Sequence, residues 1–121
     1  MSVQAKASSL KRRANPESTF ESDRFESSTM HDRGLQIEIL ALFDNQLIEV
    51  CEKLRSGPLI AVDAKFLGHT LRGAAAAIGA TEIEAIAADW ENAASNQLVL
   101  LRRLEVANKT FREQTDCYRS H

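Results

Sequence analysis

Apolar residues along this chain recur at the period of a helix in four stretches, separated by short breaks rich in glycine, proline, serine or asparagine. From about Arg33 to Arg55, Ile37, Leu40, Ala41, Leu47, Ile48, Cys51 and Leu54 share one face, and Ser56-Gly57-Pro58 stops the pattern. A second helix is expected to begin between Leu59 and Ala64, with Asp63 as its N-cap, and to end at Gly79. Leu67, Leu71, Ala74, Ala75 and Ile78 form its inward stripe. Thr81 with Glu84 three residues later reads as a capping box opening a third helix. Its inner face is Ile83, Ile86, Ala87, Trp90 and Ala94, and Ser95-Asn96 breaks it. The fourth runs from about Gln97 to Thr115 and is expected to bury Leu98, Leu101, Leu104, Phe111 and either Ala107 or Asn108. Short connections make such helices antiparallel neighbours. β-branched residues are sparse and no segment alternates strictly, so no strand competes. The expected fold is all-α, an antiparallel four-helix bundle.

Ahead of these helices the pattern changes. Residues 1–18 are small and polar, and Lys6, Lys11, Arg12 and Arg13 precede the first acid, Glu17. That composition reads as a flexible basic tail, more simply a solvated terminus than a docking or membrane-surface segment, followed by one domain over 19–121. Phe20 and Phe25, set among acids and serines, are placed to anchor a short helix that lids one end of the bundle.

Composition narrows the function classes. A chain of 121 residues with 44% hydrophobic residues holds one small core. A formal charge of −2 argues against a general nucleic-acid binder. The longest apolar run, Ala74 to Ile78, falls far short of the roughly 18 residues a membrane span needs. Lys11, Arg12 and Arg13 lead into Asn15, Pro16 and Glu17 rather than an apolar segment, which is unlike a secretory signal. A cytoplasmic location is expected. Cys51 and Cys117 fit no metal-ligand spacing; Cys51 reads as a small buried hydrophobe. Three scattered histidines, with His31 and His121 in a loop and at the terminus, make no zinc site.

His69 is the exception among them. At about 100° per residue it lies opposite the stripe of the second helix, with Lys65, Arg72, Gly73 and Ala76 around it, so its ring faces water. Gly73 lies one turn on, where glycine costs roughly 0.5 to 1 kcal/mol relative to alanine in a helix interior. A glycine there removes the side chain that would crowd the ring from another protein's surface. Arg72 puts a fixed positive charge beside any phosphoryl group on that ring.

The segment His69-Thr70-Leu71-Arg72-Gly73-Ala74-Ala75-Ala76-Ala77-Ile78-Gly79-Ala80 resembles the signature of histidine-containing phosphotransfer domains: His, any residue, Leu or Ile, Lys or Arg, Gly, small, small. His69, Leu71, Arg72, Gly73, Ala74, Ala75 and the closing Gly79 carry the match, and the flanking helices from about Gly34 to Cys117 are similar to the rest of such a domain. Arg72 stands where lysine is commoner and Ala74 where serine is commoner; the first keeps the charge but alters reach and hydrogen-bond geometry.

The resemblance implies a four-helix bundle whose His69 takes a phosphoryl group from a receiver-domain aspartate and passes it to another. It implies receiver domains and a hybrid histidine kinase as partners and no cofactor of its own; Mg2+ and a lysine belong to the receiver. A monomer is expected because four helices can close one core alone. His69 is then the phosphoacceptor, Arg72 and Lys65 its electrostatic support and Gly73 the clearance for docking. An imidazole is substantially neutral near pH 7, so one ring nitrogen attacks without a strong base, and the nitrogen distal to the backbone is the one the resemblance implies. The alternative is a non-catalytic helical module that binds and sequesters a receiver, for which no nucleophile is needed. A sensor-kinase phosphoacceptor domain fits less well. Such domains usually carry an acid directly after the histidine and a proline a few residues on, where this chain has Thr70 and Ala74-Ala75, and 121 residues hold no glycine-rich ATP-binding region. Autokinase activity is therefore not expected.

Overall fold

The structure, a computed structural model, describes residues 19–92 and 96–119. The basic segment 1–18, Ala94, Ser95 and His121 lie outside the described residues. In the described residues five α-helices follow one another: α1 (Ser22–Ser28), α2 (Arg33–Arg55), α3 (Ala61–Ile78), α4 (Thr81–Asn92) and α5 (Gln97–Gln114), then a 3-10 turn (Asp116–Tyr118). The described residues contain no strand, so the fold is all-α. None of these helices is long and apolar enough to cross a membrane.

Local chemistry sets the helix ends. Asp32 caps α2 by accepting a hydrogen bond from the Leu35 amide at 3.0 Å, and Asn96 caps α5 by accepting from the amides of Leu98 and Val99. Asp63 does not cap α3. That helix starts earlier, with Ile60 as its N-cap and no side-chain cap bond, and Asp63 sits in the first turn, where a negative charge still suits the helix dipole. The early start follows from Gln97, which accepts from the Leu59 amide at 3.0 Å and donates to the carbonyls of Leu54 and Gly57. These bonds fix the α2–α3 connection against the head of α5. At the other end of α3, Gly79 adopts φ +78°, the left-handed conformation that closes helices.

The core lies between the helices, with Leu40, Phe43, Leu47, Val50, Leu54, Leu71, Ile83, Ile86, Leu104 and Phe111 among its buried members. Two expectations of burial are corrected. On α2, Ala41 and Ile48 face out, while Phe43 and Val50 face in, because the buried stripe is centred on Leu40, Leu47 and Leu54. On α5, Leu98 is 67% exposed and Leu100 is buried in its place. Leu98 lies roughly 120° round the helix from Leu104, outside the stripe of Leu100, Leu104, Ala107 and Phe111.

α1 closes one end. Phe20, Phe25, Phe43, Phe111 and Tyr118 make edge-to-face ring contacts with centroids 5.0 to 5.8 Å apart. The Arg24 guanidinium donates to the Ala76 carbonyl at 3.0 Å and to Glu84 Oε1 at 3.2 Å, so the Glu84 carboxylate is engaged by α1. The Glu21 amide donates to the Gly79 carbonyl at 2.7 Å, and a Cβ on Gly79 would stand 2.5 Å from the Glu21 carbonyl oxygen. Only glycine accommodates both that contact and that φ.

Candidate functional site

α3 and α4 make the most extensive helix-to-helix contact in the fold, turning back on each other through Gly79-Ala80. Gly68 sets their separation. It is buried, and a Cβ built on it would meet the Glu91 backbone nitrogen at 3.3 Å and the Trp90 ring at 3.4 Å. With no side chain at 68, the backbones approach closely enough for a carboxylate on α4 to reach the outer face of α3.

That carboxylate is Glu91. Its Oε2 lies 2.8 Å from His69 Nδ1 and its Oε1 lies 3.0 Å from Arg72 Nε. Exposure is unequal: the Glu91 side chain is 12% exposed, His69 65% and Arg72 41%. The anchor is sunk and the two groups it holds stand out. An ionised carboxylate only accepts hydrogen bonds, so in the neutral imidazole the shared proton sits on Nδ1 and Nε2 keeps its lone pair. The Arg72 contact is different in kind. Glu91 Oε1 is buried without an aligned hydrogen bond among the described residues, so Arg72 offsets its charge by proximity rather than through a directed bond.

The residues expected at the site therefore divide. His69 and Arg72 are brought together through Glu91. Gly73 is exposed, and a Cβ there would meet nothing within 4 Å, so packing inside the chain gives no reason for a glycine at this position. Lys65 is exposed one turn before His69 and has no ion-pair partner among the described residues. Val62 and Phe66 extend the same outer face with exposures of 68% and 66%. The expected inward stripe holds: Leu71, Ala75 and Ile78 are buried, and Leu67 and Ala74 partly so.

Glu91 is the residue that periodicity missed, since no single-helix pattern relates it to His69. One signal was present. His69 lies ten residues before Gly79 and Glu91 eleven after Ala80, so a hairpin folded at Gly79-Ala80 sets them side by side.

No family model, curated protein or solved structure matches this chain. Among the described residues, no group of three or more His, Cys, Asp or Glu side chains could hold a metal ion. Cys51 is 9% exposed, and burial pushes its thiol above the ordinary cysteine value, which leaves it a core residue rather than a nucleophile.

Proposed function

We propose that this protein is a phosphotransfer intermediate: an antiparallel four-helix bundle that shuttles a phosphoryl group between receiver-domain aspartates through His69. The observation that carries this reading is the exposed His69 ring held at Nδ1 by the sunken Glu91 carboxylate, with an arginine beside it and bare backbone at Gly73 one turn away. A structural histidine needs none of these neighbours.

The step follows from that geometry. His69 Nε2 directs its lone pair at the phosphorus of an aspartyl phosphate. A nitrogen–phosphorus bond forms, the bond to the aspartate oxygen breaks, and the aspartate leaves as a carboxylate. The ring gains positive charge and keeps its Nδ1 proton, which Glu91 holds and whose charge it offsets. Arg72, and Lys65 through its exposed charge, favour the incoming anion. Transfer onward is the reverse step toward a second aspartate. The partner supplies the divalent cation and its lysine, so this chain has no turnover of its own and no autokinase activity. The exposed face of Val62, Phe66 and Gly73 suits docking of a receiver by a monomer in the cytoplasm.

The test incubates wild type and His69→Gln with a radiolabelled phosphorylated receiver domain, then treats the product with acid and alkali. Acid-labile, alkali-stable label on wild type alone is the expected result. Absence of label across a panel of receivers that nonetheless bind both proteins equally overturns it in favour of a docking module that sequesters the receiver.

A further inference from the structure

The His69–Glu91 contact has a counterpart at the closed end of the α3–α4 hairpin. There the Arg24 guanidinium of α1 donates through Nη1 to the Ala76 carbonyl of α3 at 3.0 Å and to Glu84 Oε1 of α4 at 3.2 Å. Its Nη2 lies 2.6 Å from Glu21 Oε1 just ahead of α1. The two bridges are in register. Ala76 stands seven residues after His69 on α3, and Glu84 seven before Glu91 on α4. Seven residues make two helical turns, which return to within about 20° of the same line after about 10 Å. Glu84 and Glu91 therefore share one flank of α4, the first held by α1 and the second by His69 and Arg72.

The roll of α4 about its own axis decides where that flank points. A side-chain tip about 6 Å from the axis moves by about 1.5 Å for a roll of about 15°. A contact of 2.8 Å between Glu91 Oε2 and His69 Nδ1 is no longer a good hydrogen bond after such a shift. Apolar packing along the hairpin resists separation more than roll. Gly68, Ala75, Ala80 and Ala87 are all buried and carry no side chain long enough to interlock, and the Trp90 ring against bare backbone at Gly68 sets a distance rather than an angle. Directional bonds at the closed end supply the angle. Arg24 makes one to each helix, and the bond from the Glu21 amide to the Gly79 carbonyl at 2.7 Å fixes where Arg24 stands. Little stability is involved, because the Arg24 and Glu84 side chains are 40% and 34% exposed and ion pairs so placed contribute little to folding.

We propose that Arg24 is a positioning residue for His69. By bridging Ala76 and Glu84 it sets the roll of α4, which keeps the Glu91 carboxylate on Nδ1 and leaves the lone pair on Nε2. The benefit to phosphoryl transfer rests on the function proposed above; the effect on the ring does not. Without the clamp the hairpin stays folded and His69 and Glu91 stay neighbours, while the share of rings carrying their proton on Nδ1 falls.

The test labels the histidine rings of the full chain with nitrogen-15 and reads Nδ1 and Nε2 of His69, assigned by their loss in His69→Gln, at a pH where the ring is neutral. Wild type is expected to show the Nδ1–H form. Arg24→Met, which keeps the stem and removes the donors, and Glu84→Ala each move the two nitrogen signals toward one another, and Glu91→Ala moves them further. Melting temperatures stay nearly unchanged. Neither change adds to the shift in the Glu91→Ala background, because the clamp acts through that carboxylate. Transfer from a phosphorylated receiver slows about three- to tenfold in either variant, less than in Glu91→Ala. Ring signals identical to wild type in both folded variants overturn the proposal. So does a shift that persists in full in the Glu91→Ala background, or slower transfer with an unchanged ring. Should Arg24→Met melt much earlier than wild type, Glu84→Ala decides, since it leaves Arg24 on the Ala76 carbonyl and on Glu21. The ring spectra need no phosphoryl group, so a wild-type chain that takes no label from any receiver refutes the phosphotransfer reading and leaves the positioning role to be judged on the ring alone.

Discussion

Glu91 Oε2 lies 2.8 Å from His69 Nδ1 across 22 residues of sequence, and the carboxylate is far more deeply sunk than the ring it holds. Position and charge are separable contributions of that carboxylate. Glu91→Gln keeps an oxygen that accepts the Nδ1 proton but loses the charge, and under the proposed function is expected to slow phosphoryl transfer about tenfold; Glu91→Ala loses both and is expected to slow it about a hundredfold. Quenched single-turnover transfer from a phosphorylated receiver measures the two rates. Equal rates in all three proteins would mean that the pair does nothing for the reaction.

His69 itself is a surface residue, so His69→Gln is expected to abolish transfer and to change stability by no more than about 0.5 kcal/mol. Thermal melting checks the second half. A large fall in melting temperature would make His69 a structural residue.

Two glycines on α3 respond oppositely to the same change. Gly68→Ala puts a methyl 3.3 Å from the Glu91 backbone nitrogen and is expected to destabilise by about 1 kcal/mol, because that backbone cannot turn aside as a side chain can. Gly73→Ala meets nothing and stabilises by roughly 0.5 to 1 kcal/mol through helix propensity. Urea denaturation of the pair gives the signs. Gly73→Leu is also expected to keep the fold and, under the proposed function, to block transfer by standing over the proposed docking face.

The single tyrosine makes one pH dependence readable. Burial raises Tyr118 above the ordinary tyrosine value, and its hydrogen bond to Glu26 adds to that. The neutral phenol is thus favoured in the folded chain. Its contribution to stability is complete below the unfolded value of about 10 and is lost as pH rises through the folded value. Phenolate absorbance should emerge late in an alkaline titration and return to the ordinary range in urea. Glu26 behaves in the opposite sense. Hydrogen bonding from Gln36, with Tyr118 and His31, holds its carboxyl below the usual value, so its contribution disappears as pH falls through the acid range.

The cysteines give a chemical check on the core. Cys117 is exposed and Cys51 is 9% exposed with a raised thiol value, so iodoacetamide at pH 8 should label Cys117 first and reach Cys51 only on unfolding. Prompt labelling of both would place α2 against α5 more loosely than described.

Helix boundaries were legible because they are written in local chemistry: Ser56-Gly57 after α2 and Gly79 after α3 act within a few residues of themselves. Burial was less legible on α2 and α5, where apolar residues surround the helix. Ile48 and Leu98 are as hydrophobic as Val50 and Leu100, and only the positions of neighbouring helices decide which pair faces in. Asp63 suited a capping role in composition, but Gln97, 38 residues from the Leu59 amide it binds, anchors the start of that helix. At the candidate site His69, Arg72 and Gly73 share one helix and so one period, whereas Glu91 enters through a chain reversal and is invisible to that period.

The reversal at Gly79-Ala80 has a kinetic consequence. His69, Arg72 and Glu91 all belong to the two helices it joins, separated by a short stretch of chain, so their contacts cost little loop-closure entropy and can form early in folding. Fraying that begins at the aromatic end is expected to loosen Phe20 and Tyr118 before this pair. Amides of α3 and α4 should therefore exchange with solvent among the slowest in the chain, and the constellation around His69 should outlast partial opening of the rest.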